Sequence, residues 1–107
     1  MDIQLKRGLL EACVLSAMRE KDAYGYELVK EISPWIEISE STLYPILKRL
    51  EGSGCVAAYS TEHNGRLRRY YRITEAGRGG IREFLRDWQD VTRAYEFILK
   101  GERHEEE

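Results

Sequence analysis

The 107-residue sequence predicts a mainly α-helical domain with one β-hairpin and a long C-terminal helix. Three observations lead to this prediction. Apolar residues recur at helical spacing along much of the chain, an Asn-Gly pair at residues 64–65 separates two strand-like runs, and a regular apolar stripe continues through the last third of the sequence. The composition, 42% hydrophobic and 34% charged, is that of a globular protein.

The first helix is predicted from about Leu5 to Arg19, where apolar residues form a stripe too wide for one packing face. Gly8, Ala12 and Ser16 stack on this helix as a row of small side chains. Such a row would allow another helix, or a ligand, to approach closely.

The second helix is predicted from Ala23 to about Ile32, with Asp22 as its N-cap. Gly25 in its first turn costs about 1 kcal/mol relative to alanine, and close packing is the expected compensation. Pro34 ends the helix because it biases the preceding residue away from helical geometry. Trp35 is expected to cover the end of the core.

The third helix is predicted to begin after Ser39, a favourable N-cap, and to stop at residues 52–54. It contains Pro45, whose cost we expect to be partly offset near the helix start, where early amides lack partners. Its buried stripe is Leu43, Ile46, Leu47 and Leu50. Its outward side chains are hydroxyls, a phenol, the flat apolar ring of Pro45 and two cations, which suit base edges, a thymine methyl and phosphates.

Residues 55–74 are typical of a β-hairpin, because β-branched and aromatic residues flank Asn64-Gly65. Centring the turn there pairs Val56 with Ile73 at an apolar base. Side chains alternate between the two faces, so the opposite face is basic and aromatic. A one-residue slip would bury the arginines, and the register is therefore well determined.

The net charge of −2 hides a basic segment, since residues 59–78 hold five basic and two acidic side chains. A local basic surface decides whether a protein can bind nucleic acid. Arg66, Arg68 and Arg69 lie at the hairpin tip, where arginine suits phosphates. The alternative, that they serve solubility alone, explains three arginines in four residues poorly.

Three helices followed by a basic hairpin is the order of a winged helix-turn-helix, whose third helix enters the major groove. We expect a DNA-binding domain over residues 1–73. The residues predicted to contact double-stranded DNA are Ser41, Thr42, Tyr44, Lys48, Arg49, Arg66, Arg68, Arg69 and Tyr70. In the alternative interpretation, Tyr44 is an aromatic at the core edge, and Lys48 and Arg49 are ordinary solvated charges.

The last helix is predicted to start after Thr74 as its N-cap, so residues 74–107 form a dimerisation helix of about 25 residues with an acidic, frayed tail. Its apolar residues follow a heptad spacing, which is the pattern of a helix pairing with a second copy. The predicted dimerisation residues are Ile81, Phe84, Leu85, Trp88, Val91, Tyr95 and Ile98. The alternative is that this helix folds back onto its own domain.

No catalytic constellation, phosphate loop or Cys/His cluster is recognisable, so we expect no enzyme, no cofactor and no metal site. Cys13 and Cys55 are interpreted as small buried hydrophobes in a reducing compartment. No apolar run approaches the ~20 residues of a membrane span, and a secretory signal is not recognisable, so a cytoplasmic location is expected. Two functions remain: a DNA-binding protein, or a winged-helix module that binds protein without reading DNA.

Three segments carry a family resemblance: YGYELVKEI, STLYPILKRLEGSGCV and GRLRRYYRITEAG. In order and spacing they resemble the motifs of the PadR-like family of bacterial transcriptional regulators, in particular the small subgroup with a single C-terminal dimerisation helix. The resemblance implies a homodimeric repressor that releases a two-fold-related operator when an effector binds. The chain departs from the family in two places. The hairpin, which is the wing of the winged helix, has Leu67 where the family often has proline, and the start of the last helix is rich in glycine.

Trp88, in the segment FLRDWQDV, resembles the drug-sandwiching tryptophan of small multidrug-responsive PadR-like repressors. If the first helix packs against the partner's last helix, Gly8, Ala12 and Ser16 would leave a cleft beside the indole. Such a cleft suits a planar aromatic effector, apolar and cationic, held by stacking and cation–π contact. The alternative is that Trp88 is only a residue of the dimer core.

Overall fold

The computed structural model describes residues 1–106, with side chains through residue 104, and confirms the predicted fold class. Three helices and a three-stranded antiparallel sheet form the body, and the last helix extends the molecule to 66 × 25 × 21 Å. The elements are α1 (Ile3–Ala17), β1 (Ala23–Tyr24), α2 (Gly25–Ile32), α3 (Glu40–Gly52), β2 (Val56–His63), β3 (Arg66–Ile73) and α4 (Glu75–Glu106).

The core lies where α1, α2 and α3 meet the base of the sheet. The predicted apolar stripe of α3 is buried along its whole length, which leaves the opposite stripe for solvent or a partner. The largest fully buried side chains are Val14, Met18, Leu28, Leu43 and Leu47.

The start of α2 differs from the prediction. Ala23 and Tyr24 do not begin a helix but form β1, paired with Tyr71 and Tyr70 of β3. Asp22 is therefore not the N-cap, and the Glu27 carboxylate instead accepts a hydrogen bond from the backbone N–H of Tyr24 at 3.1 Å. A two-residue strand is too short to show any period in the sequence.

The expected close packing at Gly25 is confirmed, whereas the role expected of Trp35 is wrong. A Cβ atom at Gly25 would overlap the hydroxyl of Tyr44 and lie 2.9 Å from its Cζ. The indole of Trp35 is 87% exposed. Instead of Trp35, the turn after α2 places Ile36 and Ile38 against the end of the core.

The hairpin has the predicted register, with Val56 opposite Ile73 and Glu62 opposite Leu67. Asn64 and Gly65 have φ angles of 52° and 78°, the left-handed geometry that a tight hairpin turn requires at both central positions. β1 adds a third strand on the far side of β3.

Helix α3 begins as predicted, since the Ser39 hydroxyl accepts a hydrogen bond from the backbone N–H of Thr42 at 3.3 Å.

The prediction that the helix start offsets the cost of Pro45 is wrong. Pro45 is the sixth residue of the helix, so an amide there would have bonded to the carbonyl of Ser41. The cost of proline is therefore not offset by the helix end, and Pro45 instead lies on the side of α3 that faces α1.

Helix α4 is anchored at its start and extends further than predicted. The hydroxyl of Thr74 donates to the carbonyl of Gly54 at 2.6 Å and accepts from the backbone N–H of Gly77 at 3.1 Å. A Cβ atom at Gly77 would overlap the carbonyl of Cys55. The first turns then pack along α1, and the segment predicted as a frayed tail is helical through Glu106.

Candidate nucleic-acid interface

Helix α3 exposes the polar stripe that the sequence predicts. The side chains of Ser41, Thr42 and Lys48 are exposed, and the hydroxyl of Ser39 lies 3.0 Å from that of Ser41 and 3.1 Å from that of Thr42. These hydroxyls form a small cluster at the N-terminal end of the helix. The cluster can donate and accept, which suits base edges and phosphate oxygens alike.

Tyr44 is both a packing residue and a surface residue. Its hydroxyl end lies against the backbone of Gly25, while 46% of the side chain stays exposed. Partial burial, with a smaller contribution from Glu40, raises the pKa of Tyr44. The exposed ring edge and the hydroxyl are thus held in one place by α2.

Arg49 points towards α1 and not straight outwards. Its guanidinium Nη2 and Nε lie 3.1 Å and 3.2 Å from Oε1 of Glu11. The same carboxylate oxygen is 3.9 Å from Nε of Arg7. Arg49 therefore lies at the flank of the α3 surface, next to two further charges that the prediction did not include.

A row of three tyrosines crosses the outer face of the sheet. Tyr24, Tyr70 and Tyr59 are neighbours in the strand register, with ring centroids 5.5 Å and 5.8 Å apart. The guanidinium of Arg68 lies 4.1 Å from the centroid of Tyr24, and that of Arg72 lies 5.6 Å from the centroid of Tyr59. These cation–π contacts hold the two arginines in defined orientations.

A hydrogen bond links this tyrosine row to the body of the domain. The hydroxyl of Tyr59 donates to Oδ2 of Asp22 at 2.6 Å, which raises the pKa of Tyr59. Sequence periodicity missed Asp22 and Tyr24, because both were assigned to the start of α2. The roles of Asp22 and Tyr24 follow from the pairing of β1 with β3, which becomes visible only in the three-dimensional fold.

The three arginines of the wing tip lie on both faces of the hairpin. Arg66 pairs with His63 across the turn, and Arg66 and Arg68 share the outer face with Tyr70. Arg69 lies on the other face and bonds Glu51 at the end of α3 at 3.2 Å. The wing and the C-terminal end of α3 are therefore connected by an ion pair.

The predicted dimerisation stripe of α4 has two parts. At its start, Ile81 packs against the domain's own core, as the fold-back alternative predicted for the whole helix. Further along, Phe84 and Trp88 stack at 5.5 Å with an interplanar angle of 21°. The remaining side chains of the stripe are mainly solvent-exposed in the single chain: Leu85, Val91, Tyr95 and Ile98.

The four predicted effector residues do not share one wall within a single chain. Gly8 and Ala12 line a groove of about 330 Å³ between α1 and α4, which Phe84 also lines. Trp88 stacks on Phe84, outside the residues that line this groove. Ser16 lies one turn further along α1, beside Arg19 and Glu31.

Both cysteines are half-buried free thiols packed against the core. Burial raises the pKa of the Cys13 thiol, which disfavours the reactive thiolate.

Within residues 1–106, none of the helices combines the length and the apolar character that a membrane span needs.

A helical body, a basic wing and an exposed polar stripe on the third helix define a winged-helix protein of the type that regulates transcription. The chain belongs to the PadR-like family of transcriptional regulators, whose family model matches residues 14–83. Members of this family are regulators of transcription and not enzymes. The predicted resemblance to this family and the prediction that the chain is not an enzyme are thereby confirmed.

Individual relatives agree with this assignment. Transcriptional regulator Rv3488 of Mycobacterium tuberculosis is 31% identical over 102 residues, which cover 94% of this chain and 92% of that protein. The crystal structure of a PadR family regulator from Eggerthella lenta matches with a TM-score of 0.81 at 38% identity, covering 91% of this chain and 87% of that one. A transcriptional regulator from Clostridium thermocellum matches with a TM-score of 0.80 at 32% identity, covering 87% and 95%.

Proposed function

We propose that this chain is a sequence-specific DNA-binding repressor that acts as a homodimer in the cytoplasm. The observation that supports this most directly is the exposed surface of α3 beside the wing, to which α3 is joined through Arg69 and Glu51. On this surface the hydroxyls and Lys48 of α3 are exposed while the apolar stripe of the helix is buried. A helix with that division can enter a major groove without losing core packing.

In this proposal the two parts of the surface have different tasks. Ser41, Thr42 and Tyr44 meet base edges, whereas Lys48 and the wing arginines meet phosphates or a narrow minor groove. The tyrosine row restricts Arg68 and Arg72 before DNA arrives. Less side-chain entropy is then lost on binding than from freely rotating arginines.

The homodimer is formed by the exposed part of α4. Tyr95 and Ile98 are 59% and 62% exposed in the single chain, and they continue the heptad positions of Phe84, Trp88 and Val91. Pairing with a second copy would remove this stripe from water. Two DNA-binding domains would then face two half-sites about one helical turn (~34 Å) apart.

Replacing Tyr44 with alanine tests base readout. We expect the variant to lose more affinity for its operator than for random DNA, with a difference of about 1 to 3 kcal/mol, because an interaction with a base edge contributes only on the matched sequence. Affinities are measured by fluorescence anisotropy over a series of salt concentrations, after the operator has been isolated by selection from genomic fragments.

Tyr26→Ala is the matched control, since Tyr26 is an exposed tyrosine on α2. Equal losses on both DNAs would make Tyr44 a packing residue. Binding that does not weaken as salt rises would argue against DNA as the partner, and would favour the protein-binding alternative, because counterion release accompanies every phosphate contact.

We further propose that a planar aromatic effector binds beside Trp88 and releases the operator. The stacked pair of Phe84 and Trp88 and the adjacent small residues Gly8 and Ala12 support this site. In the dimer, the partner's α4 would bring a second indole close to the first and complete a cleft with aromatic walls.

Titration with a planar cationic dye tests the effector site. We expect saturable quenching of tryptophan emission at about one dye per dimer, and Trp88→Phe should weaken dye binding about tenfold while the dimer persists. Trp35→Phe is the control, because the exposed Trp35 lies away from α4. Equal dye affinity in the wild type and in Trp88→Phe would leave Trp88 as a residue of the dimer core only.

A further inference from the structure

A groove of about 610 Å³ separates the first turns of α1 from the side of α3 that carries Pro45. Its floor is aliphatic and consists of Ile3, Leu10, Pro45 and Ile46. Of the described residues that line it, none is aromatic or acidic. The proline that the helix tolerates at a cost thus supplies a flat apolar surface to this groove.

The rim of the groove is basic. Lys6 and Arg7 lie on α1, and Arg49 lies opposite them on α3. Glu11, one turn further along α1, pairs with Arg49 at 3.1 Å and approaches Arg7 at 3.9 Å. These four side chains together leave two net positive charges beside an aliphatic floor.

We propose that this groove binds a medium-chain aliphatic carboxylate. The carboxylate lies among Lys6, Arg7 and Arg49, and the hydrocarbon chain lies on Pro45 and the neighbouring aliphatic side chains. Lys6 and Arg7 lie between Ile3 and Leu10, which are about 10 Å apart along the helix axis, so a hydrocarbon chain that starts at these charges has aliphatic side chains on either side of it. An aromatic ligand would find no ring to stack on, which separates this groove from the site proposed beside Trp88.

Occupation of the groove would oppose DNA binding, a step that rests on the proposed function. Thr42 and Arg49 line the groove and are also predicted to contact DNA. A bound carboxylate competes with Glu11 for Arg49 and places a negative charge next to the DNA phosphates. Ligand and DNA therefore weaken each other's binding by the same factor.

Calorimetric titration of the full chain with decanoate below its micellar concentration tests the site without DNA. We expect one saturable site per chain and an affinity at least tenfold above that of hexanoate, because each of the four further methylenes buries apolar surface. The double variant Lys6→Ala/Arg7→Ala should lose at least tenfold in decanoate affinity.

The matched control is Arg19→Ala/Lys21→Ala, which removes two exposed charges just beyond the other end of α1. Decanoate affinity should not change in this control. Equal affinity for decanoate and acetate, or full decanoate binding by the Lys6/Arg7 variant, would overturn the site. Displacement of the planar dye by decanoate would place the carboxylate at Trp88 and would likewise refute it.

A second measurement tests the coupling to DNA. With free decanoate at about nine times its Kd, mutually exclusive binding raises the apparent Kd for DNA about tenfold in the wild type. In the Lys6/Arg7 variant, whose Kd for decanoate is at least tenfold higher, the same decanoate concentration should raise the apparent Kd for DNA by about twofold at most. An unchanged DNA affinity in the wild type would refute the coupling, whereas failure of the chain to bind DNA under any condition would refute the proposed function and leave the calorimetric result standing.

Discussion

Replacing Trp88 with aspartate is expected to dissociate the homodimer and to lower operator affinity by a factor of about 10² or more. Trp88 stacks on Phe84 in the middle of the α4 stripe, between the part that packs on its own domain and the exposed part. A carboxylate there would have to leave water when two helices pair, at a cost of several kcal/mol. A monomer contacts only one half-site, so it loses the affinity that a dimer gains by binding the second half-site at the same time.

The control for this experiment is Arg86→Asp, two residues earlier on the outer side of the same helix. It places the same side chain on α4 without touching the stripe, so this variant should remain dimeric. Sedimentation equilibrium gives the oligomeric state, and anisotropy gives operator affinity at matched concentrations. A dimeric Trp88→Asp variant would show that the stripe is not the interface, and the two-half-site geometry would lose its basis.

Replacing Arg66, Arg68 and Arg69 together with alanine should weaken binding to operator and to random DNA alike, by about a hundredfold at moderate salt. The slope of log affinity against log salt should become shallower by about one unit for each phosphate that the variant no longer neutralises. The equal loss on both DNAs follows because phosphate contacts carry no sequence information, and the shallower slope follows because fewer counterions are released. Thermal unfolding is recorded in parallel, since Arg69 also bonds Glu51.

Three arginines of α4 provide a matched control for the wing variant. Arg82, Arg86 and Arg93 are exposed and lie off the heptad stripe, so their replacement by alanine removes the same charge far from the proposed interface. DNA affinity and salt slope should then change little. If the wing variant binds both DNAs as the wild type does, the wing takes no part in the interface.

Local signals in the sequence were sufficient for most of the fold. The register of the hairpin followed from alternation and from Asn64-Gly65, because both act within a few residues. The strand β1 was missed, because Ala23 and Tyr24 extend only when β3 is present beside them. Trp35 was misplaced for a related reason, since the path of the chain after α2 is set by the tertiary packing of Ile36 and Ile38 against the core.

The candidate site was predictable in its residues but not in its contacts. The polar stripe of α3 and the basic face of the wing follow from periodicity alone. That Tyr44 rests on Gly25, that Arg49 pairs with Glu11 and that Tyr59 bonds Asp22 are contacts between elements distant in sequence. Such pairings are set by tertiary packing, for which a single sequence carries no periodic signal.

A single residue, Thr74, separates the wing from α4. Strand β3 ends at Ile73 and α4 begins at Glu75, with Thr74 tied to Gly54 and Gly77 between them. Each wing is therefore the short end of a rigid lever whose long arm is α4. Over about half of the 66 Å long axis, a rotation of about 5° displaces the far end of α4 by about 3 Å, comparable to the length of a hydrogen bond, and it turns the wing through the same angle. In the proposed homodimer, a small change in the crossing angle of the two α4 helices would therefore move the wings away from the DNA phosphates, without unfolding or bending any element.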